Sequence, residues 1–101
     1  MEQLTPLQRL EAYEYALSTA KEFNQNVCIA LSVWLHEKEY NVMPSGVGEY
    51  FPEFIKMKPD PLPFAKTTNW WSNDKDGQPF RIAALEECIK ECQLLINQSQ
   101  Q

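Results

Sequence analysis

The chain is poor in the features that mark several protein classes, beginning with positive charge. Nine Lys and Arg residues stand against 14 Asp and Glu, so the formal net charge of the 101 residues is −5. General nucleic-acid binding needs Lys and Arg to displace counterions from phosphates. Docking on anionic membranes depends on the same residues. We therefore expect neither a nucleic acid nor a membrane among the partners of this protein.

Long apolar runs and paired cysteines are also missing. The longest mainly apolar run, Val27 to Leu35, is interrupted by Ser32 and is much too short to cross a bilayer. The start of the chain has no basic segment followed by an apolar one, as a secretory signal would. The three cysteines are an odd number without framework spacing, which is typical of reduced thiols. The sequence thus predicts an intracellular, cytoplasmic protein.

Catalytic and metal-binding motifs are equally scarce. His36 is the only histidine, and no serine elbow or phosphate loop accompanies it. Cys88 and Cys92, with Cys28 and His36, would make four zinc ligands, but no finger or knuckle spacing links them. We interpret the cysteines as small buried apolar groups. We predict no cofactor, no metal and no catalytic residue, with an enzyme using His36 or a glutamate as the remaining alternative.

What the chain does have is helical patterning in one domain, residues 1–101. Thr5, Pro6 and Gln8 form the start of a helix, with a Thr-x-x-Gln capping box and proline at the first position. Asn24 to Asn26 end it. The apolar stripe between them has helical spacing and consists of Leu7, Leu10, Tyr13, Ala16, Leu17, Ala20 and Phe23.

Two further segments complete the predicted bundle. In the segment from Val27 to Tyr40, β-branched and other apolar residues alternate as they do in a strand, but the residues between them do not form a polar face. We therefore predict a largely buried helix and keep a strand as the alternative. A last helix begins near Pro79, with Asp76 or Gln78 as its cap. Residues 1–4 and 97–101 are predicted to fray. The apolar residues of this last helix form a seam that repeats at intervals of three and four. They are Ile82, Leu85, Ile89, Cys92 and Ile96.

The connection from Tyr50 to Arg81 is the least ordinary stretch. It holds five of the seven prolines and seven of the twelve aromatic residues, which no flexible linker does. We predict a short helix over residues 52–58, a stiff crossing over 59–63 and a polar loop over 69–78. The fold class is therefore all-α: a small three-helix bundle with a long ordered Pro/aromatic-rich connection containing a short fourth helix.

The adjacent tryptophans in this connection are the main candidates for function. Neighbouring residues of an extended loop point in different directions, so one ring is expected inside and the other presented. Tryptophan dominates interaction hot spots because it buries a large area with few rotors. Structural packing of both rings is the competing interpretation. The predicted binding residues are Trp70, Trp71, Arg81, Lys66 and Phe64.

The order of motifs carries a resemblance. A capped first helix, the segment FPEFIKMKP, the pair NWW and the run PFRIAALEECIK look like small uncharacterised proteins of bacterial phages and mobile elements. The resemblance implies a cytoplasmic protein that modulates host machinery, and it transfers no functional residue. We expect a non-enzymatic protein-binding or self-associating module acting through the aromatic loop. The alternative is a small-ligand or nucleotide-sequestering protein, with tryptophan on a base and Arg81 or a lysine on phosphate.

Overall fold

The computed structural model describes residues 3–59, 70–71 and 75–99, and every regular element in these ranges is helical. The predicted all-α fold is confirmed: three long helices with a short fourth helix in the connection before the last. A 3₁₀ helix precedes that short helix. In chain order the elements are α1 (Pro6–Phe23), α2 (Val27–Glu37), the 3₁₀ helix (Pro44–Glu49), α3 (Pro52–Lys56) and α4 (Gln78–Ser99).

Both ends of α1 form as the sequence predicts. The Thr5 hydroxyl accepts a hydrogen bond from the Gln8 amide at 3.2 Å, and the Gln8 side chain accepts one from the Thr5 amide at 2.9 Å. This reciprocal capping box satisfies two backbone donors that a helix start leaves open. At the other end Asn24 adopts φ 55°, the left-handed conformation that asparagine tolerates.

Burial on most sides of α2 explains why its sequence pattern is ambiguous. The segment is a helix, as predicted, and the strand alternative is wrong. Asn26 caps it by accepting hydrogen bonds from the backbone amides of Cys28 and Ile29. Its buried residues leave no wide polar face from which a period could be recognised: Val27, Cys28, Ala30, Leu31, Ser32, Trp34 and Leu35.

Helix α1 runs antiparallel to both α2 and α4. Lys38, just after α2, is 3.6 Å from Glu11 near the start of α1, so these two helices run in opposite directions. Lys21 near the end of α1 is 3.5 Å from Glu86 in the first half of α4.

Gln78 begins α4, and its side chain does not serve as the cap we expected. It instead donates to the carbonyl of Gln25 at 2.7 Å and ties α4 to the α1–α2 turn.

The buried face of α4 is rotated from the predicted seam. Leu85 and Cys92 are buried as predicted, but Ile82, Ile89 and Ile96 are only half-buried. The shift arises because α4 packs against both α1 and the connection, and the connection covers the side of the helix next to the seam. The other side chains on its buried face are Arg81, Ala84 and Cys88.

The two ends of the bundle differ from our expectations in detail. Leu4 is 3% exposed, and its carbonyl accepts a hydrogen bond from Arg9, so the expected fraying of residues 1–4 does not include Leu4. Helix α4 continues to Ser99, into the stretch where we expected fraying. Conversely, Leu7 and Phe23, assigned to the apolar stripe of α1, are 65% and 74% exposed.

Candidate functional site

An ion pair anchors the connection to α1. The Arg9 guanidinium donates to both carboxylate oxygens of Glu53 in α3, with Nε–Oε1 2.8 Å and Nη2–Oε2 2.9 Å. The Tyr13 hydroxyl donates to Oε1 of the same carboxylate at 2.7 Å. Glu53 is only 6% exposed. Because a buried carboxylate is tolerated only when it is paired and hydrogen-bonded, this three-residue anchor fixes where α3 sits.

The anchor has a definite protonation state. Burial by itself would raise the pKa of Glu53, but the hydrogen bonds from Arg9 and Tyr13 and the charge of Arg9 hold it below its ordinary value. Burial would likewise lower the pKa of Arg9, and the Glu53 carboxylate raises it instead. Burial raises the pKa of Tyr13, so its phenol remains a hydrogen-bond donor. The anchor is therefore an ionised Arg–Glu pair with a neutral tyrosine.

The tryptophan pair is divided between the interior and the surface. Trp70 is 1% exposed, whereas Trp71 is half-buried. The Trp70 carbonyl accepts hydrogen bonds from Arg81 Nη1 at 3.2 Å and from the Cys28 thiol at 3.6 Å. These contacts join the pair to α4 and α2. The expected burial of one ring holds for Trp70, and Trp71 is the more exposed of the two rings, although it still packs against the core.

Phe54 is the residue against which both tryptophans pack. Its ring centroid lies 5.3 Å from that of Trp70 and 5.6 Å from that of Trp71, with interplanar angles of 35° and 57°. Both geometries fall in the range that aromatic pairs prefer. Phe54 is itself completely buried in α3. The position of Trp71 is therefore set by α3 as well as by its own backbone.

Gly48 makes room for the outer ring. A β-carbon at this position would lie 2.8 Å from Ile55 Cδ1 and 2.9 Å from Trp71 Cζ2, closer than real side-chain contacts allow. The glycine is buried in the 3₁₀ helix beneath these two side chains. Ile55 remains 45% exposed. Trp71 and Ile55, seated on Gly48 and Phe54, form a small apolar area that we call the Trp71 surface.

The structure brings only part of the predicted site together. Trp71 reaches the surface, but Trp70 and Arg81 lie in the interior, and Arg81 is 0% exposed. The expectation that Arg81 stands beside an exposed ring is wrong, because its guanidinium turns inward to the Trp70 carbonyl. Lys66 and Phe64, together with the stiff crossing after Pro59, lie outside the described residues.

Sequence reasoning missed the residues that support Trp71. The sequence does not indicate that Gly48 lies under an aromatic ring, and it places Glu53 and Ile55 only within a short helix. The one signal available was Arg9, four residues before Tyr13 and thus on the same side of α1 as its buried stripe. A cation in such a position predicts a buried acidic partner, although it does not say which one.

The described residues offer little reactive chemistry. All three cysteines are buried and reduced. Burial, reinforced by the Glu53 charge, raises the pKa of Cys92 to about 11 and raises that of Cys88 as well. Since the thiolate is the reactive form, these thiols are poor nucleophiles. His36, exposed at the end of α2, contacts the carbonyl of Val42 through Nε2 at 2.9 Å.

The described residues hold neither a group of metal ligands nor a helix able to span a membrane. Within residues 3–59, 70–71 and 75–99, no three His, Cys, Asp or Glu side chains are grouped so as to hold a metal ion. No helix in that part of the chain combines the length and the apolarity needed to cross a membrane.

Comparison with known proteins adds nothing to this geometry. No protein-family model, no curated protein and no solved structure matches the chain.

Proposed function

We propose that this protein is a non-enzymatic binding protein whose Trp71 surface contacts a partner protein. The observation that carries the proposal is the division of the tryptophan pair. One ring is inside the fold, and the other is held at the surface by Phe54 and Gly48. A partly exposed tryptophan on a fixed support loses little conformational entropy on binding, which is what makes such residues interaction hot spots.

The surroundings of Trp71 suit an apolar partner. Ile55, 45% exposed, extends the area beside the ring. The Arg9–Glu53–Tyr13 anchor and the buried Phe54 hold α3 in place below it. The partner would place an apolar side chain against the indole and Ile55, with polar contacts around the rim.

The small-ligand alternative has less support. It requires a tryptophan that stacks on a base and a cation, chiefly Arg81, that meets the phosphate. Arg81 is buried against the Trp70 carbonyl and cannot reach a ligand beside Trp71 without leaving the interior. We therefore retain protein binding as the function.

The setting follows from the resemblance and the charge. The resemblance to proteins of phages and mobile elements supports the proposal that the partner is a component of host machinery in the cytoplasm. The net charge of −5 favours a protein over a nucleic acid or an anionic membrane. Self-association is a second form of binding that this proposal admits.

The test compares two exposed aromatic residues. Wild type, Trp71→Ala and Phe23→Ala are used to capture partners from the native cell, and binding of each captured protein is then measured with purified components. Phe23 is 74% exposed in the last turn of α1 and makes a matched control. We expect Trp71→Ala to weaken binding by about 30-fold, the effect of losing a hot spot, and Phe23→Ala to leave it unchanged. Partners that bind Trp71→Ala as tightly as wild type would show that the surface is not the binding site.

A further inference from the structure

One end of the bundle carries no charge on its two helices. Residues 3–8 and 92–99 contain no Asp, Glu, Lys or Arg, although 23% of the chain is charged. The first charged residue of α1, Arg9, is turned to Glu53 and is 12% exposed. We call residues 3–8 and 92–99 the uncharged end.

The uncharged end also exposes apolar side chains. Leu7 is 65% exposed, and Leu94 is 61% exposed. A groove of ≈ 360 Å³ lies between the start of α1 and the end of α4. It is lined by Leu7, Leu10, Gln93, Ile96 and Asn97. Leu7 lines this groove and Leu94 lies outside it. Exposed apolar side chains around an open groove are typical of surfaces that are buried in an assembly.

Helix lengths explain why this end is uncovered. At 1.5 Å per residue, α1 and α4 are about 27 Å and about 33 Å long, but α2 is only about 16 Å. The end of α2 lies beside Glu11, where Lys38 pairs with it. The first turn of α1 and the last turns of α4 therefore extend past α2, and α3 reaches only as far as Arg9 and Glu91 through its ion pairs.

We propose that the uncharged end is a dimer interface that a second copy of this chain covers. The argument is electrostatic: two copies, each of net charge −5, repel each other, and they approach at lower cost through residues 3–8 and 92–99, which add no charged side chain. A cationic partner would be drawn to the acidic residues elsewhere and would find none here. An uncharged surface of leucines and amides is complementary to itself, as an isologous twofold contact requires.

In the dimer the Leu7 side chain of each copy enters the groove of the other, and Leu94 lies at the edge of the contact. Gln93, Asn97 and the other amides of the end supply hydrogen bonds at the rim, where interfaces are polar. The dimer uses residues other than those of the Trp71 surface, and it does not depend on the proposed function.

The test measures the oligomeric state by sedimentation velocity between about 1 µM and about 500 µM, a span that covers the weak to moderate affinities of small interfaces. The variants are Leu7→Glu and Leu94→Glu, each of which places a charge on an exposed position of the uncharged end. Met43→Glu, at a residue 71% exposed outside that end, is the control for an added charge. Circular dichroism checks that all three remain helical.

We expect wild type and Met43→Glu to dimerise and each leucine variant to weaken the dimer by at least about 30-fold. A wild type that stays monomeric at the highest concentration overturns the proposal. So does a dimer that both leucine variants form as strongly as wild type, because the interface then lies elsewhere. Partner binding that depends on Trp71 is measured separately, so either proposal can fail while the other stands.

Discussion

The inner and outer faces of the connection between α2 and α4 have similar composition and opposite roles. The inner face places Glu53, Phe54 and Trp70 in the interior, where each has partners in the bundle. The outer face holds Ile55 and Trp71, which are partly exposed. Trp70 and Trp71 are adjacent in sequence, so only their orientation distinguishes them. An aromatic-rich segment can thus complete a core and also leave a tryptophan partly exposed at the surface.

Truncating the inner tryptophan tests this contrast with the largest expected effect. Trp70→Ala removes a fully buried ring and should lower the free energy of unfolding by about 4 kcal/mol. Trp71→Ala removes a half-buried ring and should cost about 1 kcal/mol. Urea unfolding followed by circular dichroism measures both. Equal losses would mean that the two faces do not differ as the structure indicates.

Breaking the anchor of the inner face should have the next largest effect. Glu53→Ala leaves Arg9 with a buried, unpaired charge and should lower the free energy of unfolding by about 3 kcal/mol. Removing one partner of a buried pair costs much more than replacing both partners by apolar residues. Glu91→Ala is the matched control: it breaks the Lys56–Glu91 pair at 3.0 Å, whose lysine is 68% exposed. Exposed pairs contribute about 0.5 kcal/mol. If urea unfolding showed similar losses of unfolding free energy for Glu53→Ala and Glu91→Ala, the distinction between the buried and the exposed pair would be wrong.

Filling the space under the outer face should have a moderate effect. Gly48→Ala places a methyl group against Ile55 and Trp71, and overpacking of this kind costs about 2 kcal/mol. Ile55→Ala in the same chain removes the nearer clash and should restore part of the loss. The double-mutant cycle measures that coupling, and Trp71 fluorescence reports whether the ring has moved. Strictly additive losses would show that Gly48 does not support this surface.

Lowering the pH should weaken the Arg9–Glu53–Tyr13 anchor gradually, because Glu53 becomes protonated. The pKa of Glu53 is lower in the folded protein than its ordinary value, so the unfolded chain binds the proton more readily. Its contribution is therefore present above the unfolded pKa of about 4.3 and is lost as pH falls through the folded value. Unfolding free energies of wild type and Glu53→Gln, measured from pH 7 to pH 3, should converge on acidification. A constant difference would show that the carboxylate is not ionised in the fold.

The sequence alone determined the local structure, because the relevant interactions lie within a few residues of one another. The Thr5–Gln8 capping box, the turn at Asn24 and the short helix opened by Pro52 depend on neighbours in the chain. For the tryptophan pair the sequence indicated only that the two rings need not have the same exposure, and it left open that both are structural.

Only the tertiary structure decided which partners these elements find. Arg9 and Glu53 are 44 residues apart, and no local pattern connects them. The interior position of Arg81, the rotation of α4 and the support of Trp71 by Gly48 all depend on how the connection lies across the bundle. Periodicity indicates that a helix has an apolar side, but the direction of that side is set by what packs against it. For that reason the fold class was predictable, whereas the surface that we propose for binding was not.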